Sequence, residues 1–150
     1  MPKKRTSHRS SATVDYDSFL KSVKLFAVAL DKTAAEIDRD LYWESSKDKG
    51  SVREIRASYE ASDVEGDHFD VIARIEVRIT KKADKSRILA IDCQYSAHFH
   101  AEVGCGLEAA KKFAQSEAKI ILWPYFRALI SDLTARMYIP PLVIPLTLED

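Results

Sequence analysis

The stretch that decides the fold is "FDVIARIEVRITKKADKSRILAIDCQYSAHFHAEV", residues 69–103. Phe69, Val71, Ala73, Ile75, Val77 and Ile79 alternate with polar neighbours such as Arg74, Glu76 and Arg78. After "KADK" the same period resumes: Leu89, Ile91, Cys93, Tyr95, Ala97, Phe99, Ala101 and Val103 on one side, and Asp92, Gln94, Ser96, His98, His100 and Glu102 on the other. A period of two over this length predicts paired strands with one apolar and one wet face. "REIRASYEAS" just upstream repeats the pattern with Ile55, Ala57, Tyr59 and Ala61, and "EGD" suits the turn between them. These three segments predict an antiparallel meander whose apolar face needs cover.

Working outward, "LEAAKKFAQSEAKIILWPYFRALISDLTARM" changes to a helical period. Pro124 has no backbone donor, so a kink or restart is expected there. Leu122, Phe126, Leu129, Leu133 and Met137 form a stripe suited to covering the sheet. Ile121, Tyr125, Ala128 and Ala135 widen the apolar arc on one side, and Trp123 and Ile130 on the other, leaving a narrow polar remainder at Arg127, Ser131 and Thr134. A surface helix needs a stripe only somewhat wider than about 100°. The surplus predicts a second covered face, with Ile121, Tyr125, Ala128 and Ala135 at an interface between copies of the chain. The exit, "YIPPLVIPLTLED", carries Pro140, Pro141 and Pro145 and is expected to be extended.

Upstream, "DYDSFLKSV" suits a helical turn capped by Asp15 or Asp17. "VKLFAVALDKTA" is apolar on both faces, which asks for cover on both sides and places Val23 and Leu25 at a subunit interface. "EIDRDLYWESSKDKG" reads as a long connection whose Tyr42 and Trp43 either plug the core or line a groove. Residues 1–15 read as a disordered basic tail and 16–150 as one domain.

Lys and Arg number 23, as do Asp and Glu, so no basic excess points to nucleic acid. No apolar run reaches the roughly 18 residues of a membrane span. Cys93 and Cys105 form no CxxC pattern, which fits a reduced, cytoplasmic protein. Cys93 reads as a core thiol, and nothing clearly activates Cys105. His98, His100 and Glu102 share a strand face and could in principle bind a metal, but decoration of a wet face is the reading adopted, with no metal site. No phosphate loop, nucleophile elbow or zinc-protease motif occurs, and no cofactor or enzyme activity is expected.

"LWPYFRALISDLTARMYIPPL", with "LYW", "EIRASY" and "FDVIARIEVRIT", resembles the bacterial SecB and SecB-like chaperones over roughly residues 19–148. The resemblance implies an α+β fold: a four-stranded antiparallel sheet with a long C-terminal helix on one face. It implies a homotetramer, a dimer of dimers, that holds unfolded polypeptides without ATP. Matched by position, Tyr42, Trp43, Ile55, Ala57 and Tyr59 would contact the client. The partners implied are unfolded preproteins or, as in some SecB-like proteins, the aggregation-prone tail of an antitoxin. Two departures bear on contact with the translocase motor. The sequence stops at "LTLED", and Lys24 stands where an acidic residue is expected on the first strand. The competing reading is a non-catalytic structural module whose surplus apolar surface is all interface.

Overall fold

The computed structural model describes residues 15–48 and 50–145. Most of the basic tail and the last five residues of the exit lie outside the described residues. The element order is α1 (Tyr16–Ser22), β1 (Val23–Ile37), α2 (Arg39–Asp48), β2 (Ser51–Glu65), β3 (His68–Lys81), β4 (Arg87–Ala101), α3 (Leu107–Gln115) and α4 (Glu117–Arg136). The strands form one antiparallel sheet in the order β1-β4-β3-β2, so β1 and β2 are its edges. This is the α+β architecture that the resemblance implies, and its β2–β3–β4 meander is the one the alternation predicts.

Burial follows the period-two pattern. Every inward residue of β3 from Phe69 to Ile79, and of β4 from Leu89 to Ala101, is buried. Val103 falls beyond β4 and is exposed. A rotation of one residue in either strand would turn this whole set to water, so the register is strongly specified. At one end of the core, Phe69 and Phe99 stack at 5.2 Å, and Phe113 of α3 meets both edge-on at 5.3 and 4.9 Å. Phe19 of α1 closes the cluster, 5.8 Å from Phe69. Each aromatic pair adds about 0.5–1.5 kcal/mol beyond its buried area. The β2–β3 turn relies on Gly66, whose φ of +60° is open to glycine at no steric cost.

β1 departs from simple alternation because it bulges between Leu25 and Ala27 and again between Leu30 and Lys32. Each bulge exchanges the faces of the residues that follow. The strand remains mostly exposed, with Leu25, Phe26 and Leu30 uncovered within the chain.

The helical segment breaks at Ser116, not at Pro124 as its sequence suggests. α3 ends at Gln115 and α4 starts at Glu117, with Ser116 between them at φ −118°, ψ −75°, and the Gln115 side-chain amide donates to the Tyr59 carbonyl at 2.6 Å. Pro124 sits inside α4. The carbonyl that loses its partner belongs to Ile120, and Ile120 and Pro124 are both exposed, where water can take the bond.

The buried stripe of α4 is also rotated from the expected one. It comprises Ala118, Leu122, Trp123, Phe126, Ile130 and Thr134, while Leu129, Leu133 and Met137 are half-buried at its margin. The exit causes the difference, because it folds back along α4 toward its start. The Leu142 N–H donates to Thr134 Oγ1 at 2.8 Å, Arg127 Nε to the Ile144 carbonyl at 3.1 Å, and Trp123 Nε1 to the Pro145 carbonyl at 2.7 Å. Ile139 and Ile144 are buried by this return. Part of the apolar surplus of α4 is therefore covered by its own chain. No helix is long and apolar enough to cross a membrane among the described residues.

Thr134→Val keeps the shape but leaves the Leu142 N–H without its acceptor. It should cost about 1–3 kcal/mol in urea unfolding, with Thr134→Ser losing less. Equal stability of the valine variant and the wild type would mean that the exit is not anchored there.

Candidate functional site

The segment read from sequence as a connection is the helix α2. Asp38 starts it: its carboxylate accepts the Leu41 N–H at 3.0 Å and its carbonyl accepts the Tyr42 N–H at 2.9 Å. Asp40 in the first turn and Lys47 in the last complement the helix dipole. Leu41 and Tyr42 are half-buried and Ser45 is fully buried, so the inward face is Leu41, Tyr42 and Ser45. A serine at the deepest position weakens the apolar period, which is why the helix did not declare itself in the sequence.

Trp43 projects from α2 with 44% of its surface exposed. The Tyr42 ring meets it edge-on, at 5.3 Å and 88°. Beside them lies an open cleft of about 320 Å³ lined by Tyr42, Ser45, Arg53, Ile79, Ile88 and Leu142. A bulge in β4 opposite Ile79 and Thr80 turns Ile88 into the core beside Leu89. The Ser45 hydroxyl has no hydrogen-bond partner among the described residues. Arg53 lies on the inward face of β2 opposite Ile79, followed two and four residues on by Ile55 and Ala57, both half-buried. Tyr59 is different: it is 8% exposed, and burial pushes its phenol up to about 12. Of the five residues carried by the resemblance, Tyr42 alone lines this cleft; Trp43 is exposed, Ile55 and Ala57 are half-buried, and Tyr59 is core.

Of the residues assigned to an interface between copies, Leu25, Tyr125, Ala128 and Ala135 are exposed, while Val23 and Ile121 are half-buried. Phe26, 71% exposed, and Ile120, 66% exposed, are not among those residues and are the most exposed large apolar groups on β1 and α4.

The outer face of the sheet is laced with polar pairs. Arg78 Nη2 meets Asp92 at 2.8 Å, and Arg74 bonds both Gln94 and Glu60. Gln94 and Ser96 converge on Asp31, and the Ser96 hydroxyl chiefly holds that carboxyl below its usual range. Lys24 pairs with Glu102 at 3.0 Å and lowers its pKa. The three residues His98, His100 and Glu102 do not converge. His98 Nδ1 faces Asp70 at 2.6 Å, Glu102 is taken by Lys24, and His100 turns toward Asp67.

Burial raises the Cys93 thiol and pushes that of Cys105 up to about 11. Neither is poised as a nucleophile.

With this geometry in hand, the sequence matches the family described as Preprotein translocase subunit SecB over residues 43–146. The chain belongs to the SecB family. Members of this family are non-catalytic chaperones. In fold the chain is similar to a SecB-like chaperone of Mycobacterium tuberculosis, solved in complex with a ChAD peptide from the HigA1 antitoxin. The TM-score is 0.73 at 18% identity, covering 89% of this chain and 96% of that one. A protein of unknown function from Streptococcus agalactiae is similar at a TM-score of 0.50 and 10% identity, covering 82% and 96%. Among curated proteins, none matches significantly.

A thiol raised from 9.0 to about 11 carries about a hundredfold less thiolate near neutral pH. Cys105 in the native protein should alkylate with iodoacetamide about a hundredfold more slowly than after unfolding. Equal rates would contradict the burial described.

Proposed function

We propose that this SecB-family protein holds unfolded polypeptides without ATP, and that Tyr42, Trp43, Ile55 and Ala57 form the margin that receives them. The observation that carries the reading is Trp43. It is the large aromatic of α2, it is half out of water, and the Tyr42 ring packs edge-on against it. An aromatic whose place in the fold is only to pack would be expected to be covered. An unfolded client offers scattered apolar side chains and free backbone. Shallow contacts worth about 25 cal/mol per Å² of apolar area accumulate along such a chain without sequence specificity, less the cost of ordering it. Tyr59 enters the site only if α3 shifts on client binding.

The working form is a dimer of dimers. Exposed Leu25, Phe26 and Leu30 on the β1 edge, and Ile120, Tyr125, Ala128 and Ala135 on α4, are the surfaces that would be shared. A 15-residue edge strand carrying exposed apolar groups invites pairing with another strand. A cytoplasmic location agrees with the two free cysteines.

The client set is the finer question. The antitoxin peptide bound by the mycobacterial protein makes a dedicated antitoxin one candidate. Exported preproteins are the other. Coupling to a translocase motor has less in its favour. Lys24 occupies the outer face of β1, where the resemblance calls for an acidic residue, and it pairs with Glu102.

The test is suppression of aggregation when a chemically unfolded protein is diluted from denaturant. The wild type should suppress light scattering near one assembly per client. Tyr42→Ser with Trp43→Ser should lose most of that effect while sedimenting as the same oligomer. Full suppression by the double variant would remove this margin from the account. No suppression by the wild type would favour the structural module.

A further inference from the structure

A second site lies at the far end of the outer sheet face, away from the helices. Asp67, His68 and His100 each offer a ligand atom there, and all three atoms lie within 4.8 Å of one another. Asp67 Oδ2 is 2.7 Å from His100 Nε2, and Asp67 Oδ1 is 3.1 Å from His68 Nε2. The imidazole centroids are 5.1 Å apart.

The backbone holds these groups in place. His68 and His100 are direct partners in the β3–β4 register, so both rings rise from the same face at adjacent strand positions. Asp67 is fixed by its own carbonyl, which accepts the Ala101 N–H at 2.7 Å. The Gly66 carbonyl accepts the Cys105 N–H at 2.7 Å, tying the β2–β3 turn to the start of the α3 connection. The three donors thus sit on two strand ends already joined by main-chain bonds, and little ordering is left for a ligand to impose.

We propose that Asp67, His68 and His100 bind a divalent transition-metal ion of the zinc class. Two imidazole nitrogens and one carboxylate oxygen are a donor set that suits zinc. With bonds of about 2.0–2.2 Å, tetrahedral donors stand about 3.3 Å apart. The 2.7 and 3.1 Å separations run to the two different oxygens of Asp67, so its carboxylate reaches both rings, and the three ligand atoms, all within 4.8 Å of one another, need to adjust by at most about 1.5 Å to reach that spacing. The His68 side chain is 69% exposed, so the ion can enter from solvent and the fourth position is left to water. The nearest cation on the neighbouring strand, Lys24, lies across the register from His100 but is already paired with Glu102. The bound ion ties the β2–β3 turn to the end of β4. It stabilises the folded chain, since the unfolded chain lacks the arrangement. The site is separate from the Trp43 margin and does not depend on client binding.

Full-length protein without an affinity tag, stripped with chelator, is titrated with zinc chloride by calorimetry and melted with and without the metal. The wild type should bind one zinc ion per chain and melt at a higher temperature with zinc. His68→Ala and His100→Ala should each weaken binding on the order of tenfold or more and lose the zinc-dependent rise. His98→Ala, whose imidazole faces Asp70, should behave as the wild type. His68 is the most exposed of the three, so its variant should fold and melt normally in chelator. The proposal is overturned if the wild type shows no saturable binding. It is equally overturned if His68→Ala binds as tightly as the wild type, or if His98→Ala abolishes binding.

Discussion

The structure depends on a one-sided sheet. β3 and β4 bury every second residue from Phe69 to Ile79 and from Leu89 to Ala101. Nothing in the central pair tolerates a slip of one position, because a slip would expose the whole set. With the register fixed, all the helices are needed on one face, and the other face is free to carry Arg78–Asp92, Arg74–Glu60 and the groups around Asp31. The sheet therefore divides the molecule into a helix-covered side, at whose margin Trp43 sits, and a polar side, at whose end the two histidines meet.

The helix-covered side is closed partly by an unusual route. The returning exit takes its hydrogen bonds from Thr134, Arg127 and Trp123 on α4. A segment with Pro140, Pro141 and Pro145 cannot build a helix or a central strand, so side chains of α4 supply partners that regular structure would have supplied. This return buries Ile139 and Ile144 and absorbs part of the apolar arc. Ile120 and Tyr125 on α4 and Leu25, Phe26 and Leu30 on β1 stay exposed, as do Tyr138 and Val143 of the exit itself.

How much was legible in the sequence varied with the kind of signal. Alternation in residues 55–101 fixed strand identity, facing and order of pairing, because period two has one structural meaning at that length. Helical periodicity located α3 and α4 but misplaced their break. Pro124 is the conspicuous residue, yet the chain breaks at Ser116, where Gln115 turns to the Tyr59 carbonyl, a contact between residues far apart in sequence. Thr134 looked polar and outward, and its burial depends on a partner, the Leu142 N–H, that only the folded exit provides. The helix α2 was hidden because its deepest residue is Ser45. Among the histidines, His98 and His100 were grouped by spacing along one strand. The pair that meets, His68 with His100, is set by cross-strand register, which spacing within a single strand does not contain.

An unfolded chain that lies against the α2–β2 margin, as proposed, would shield that margin from solvent. Hydrogen–deuterium exchange of the protein, free and saturated with an unfolded client, reads this shielding. Exchange should slow in residues 39–46 and 52–58, with the outer-face strand segment 94–100 unchanged. Protection confined to that outer face, or absent from α2 and β2, would contradict the proposal.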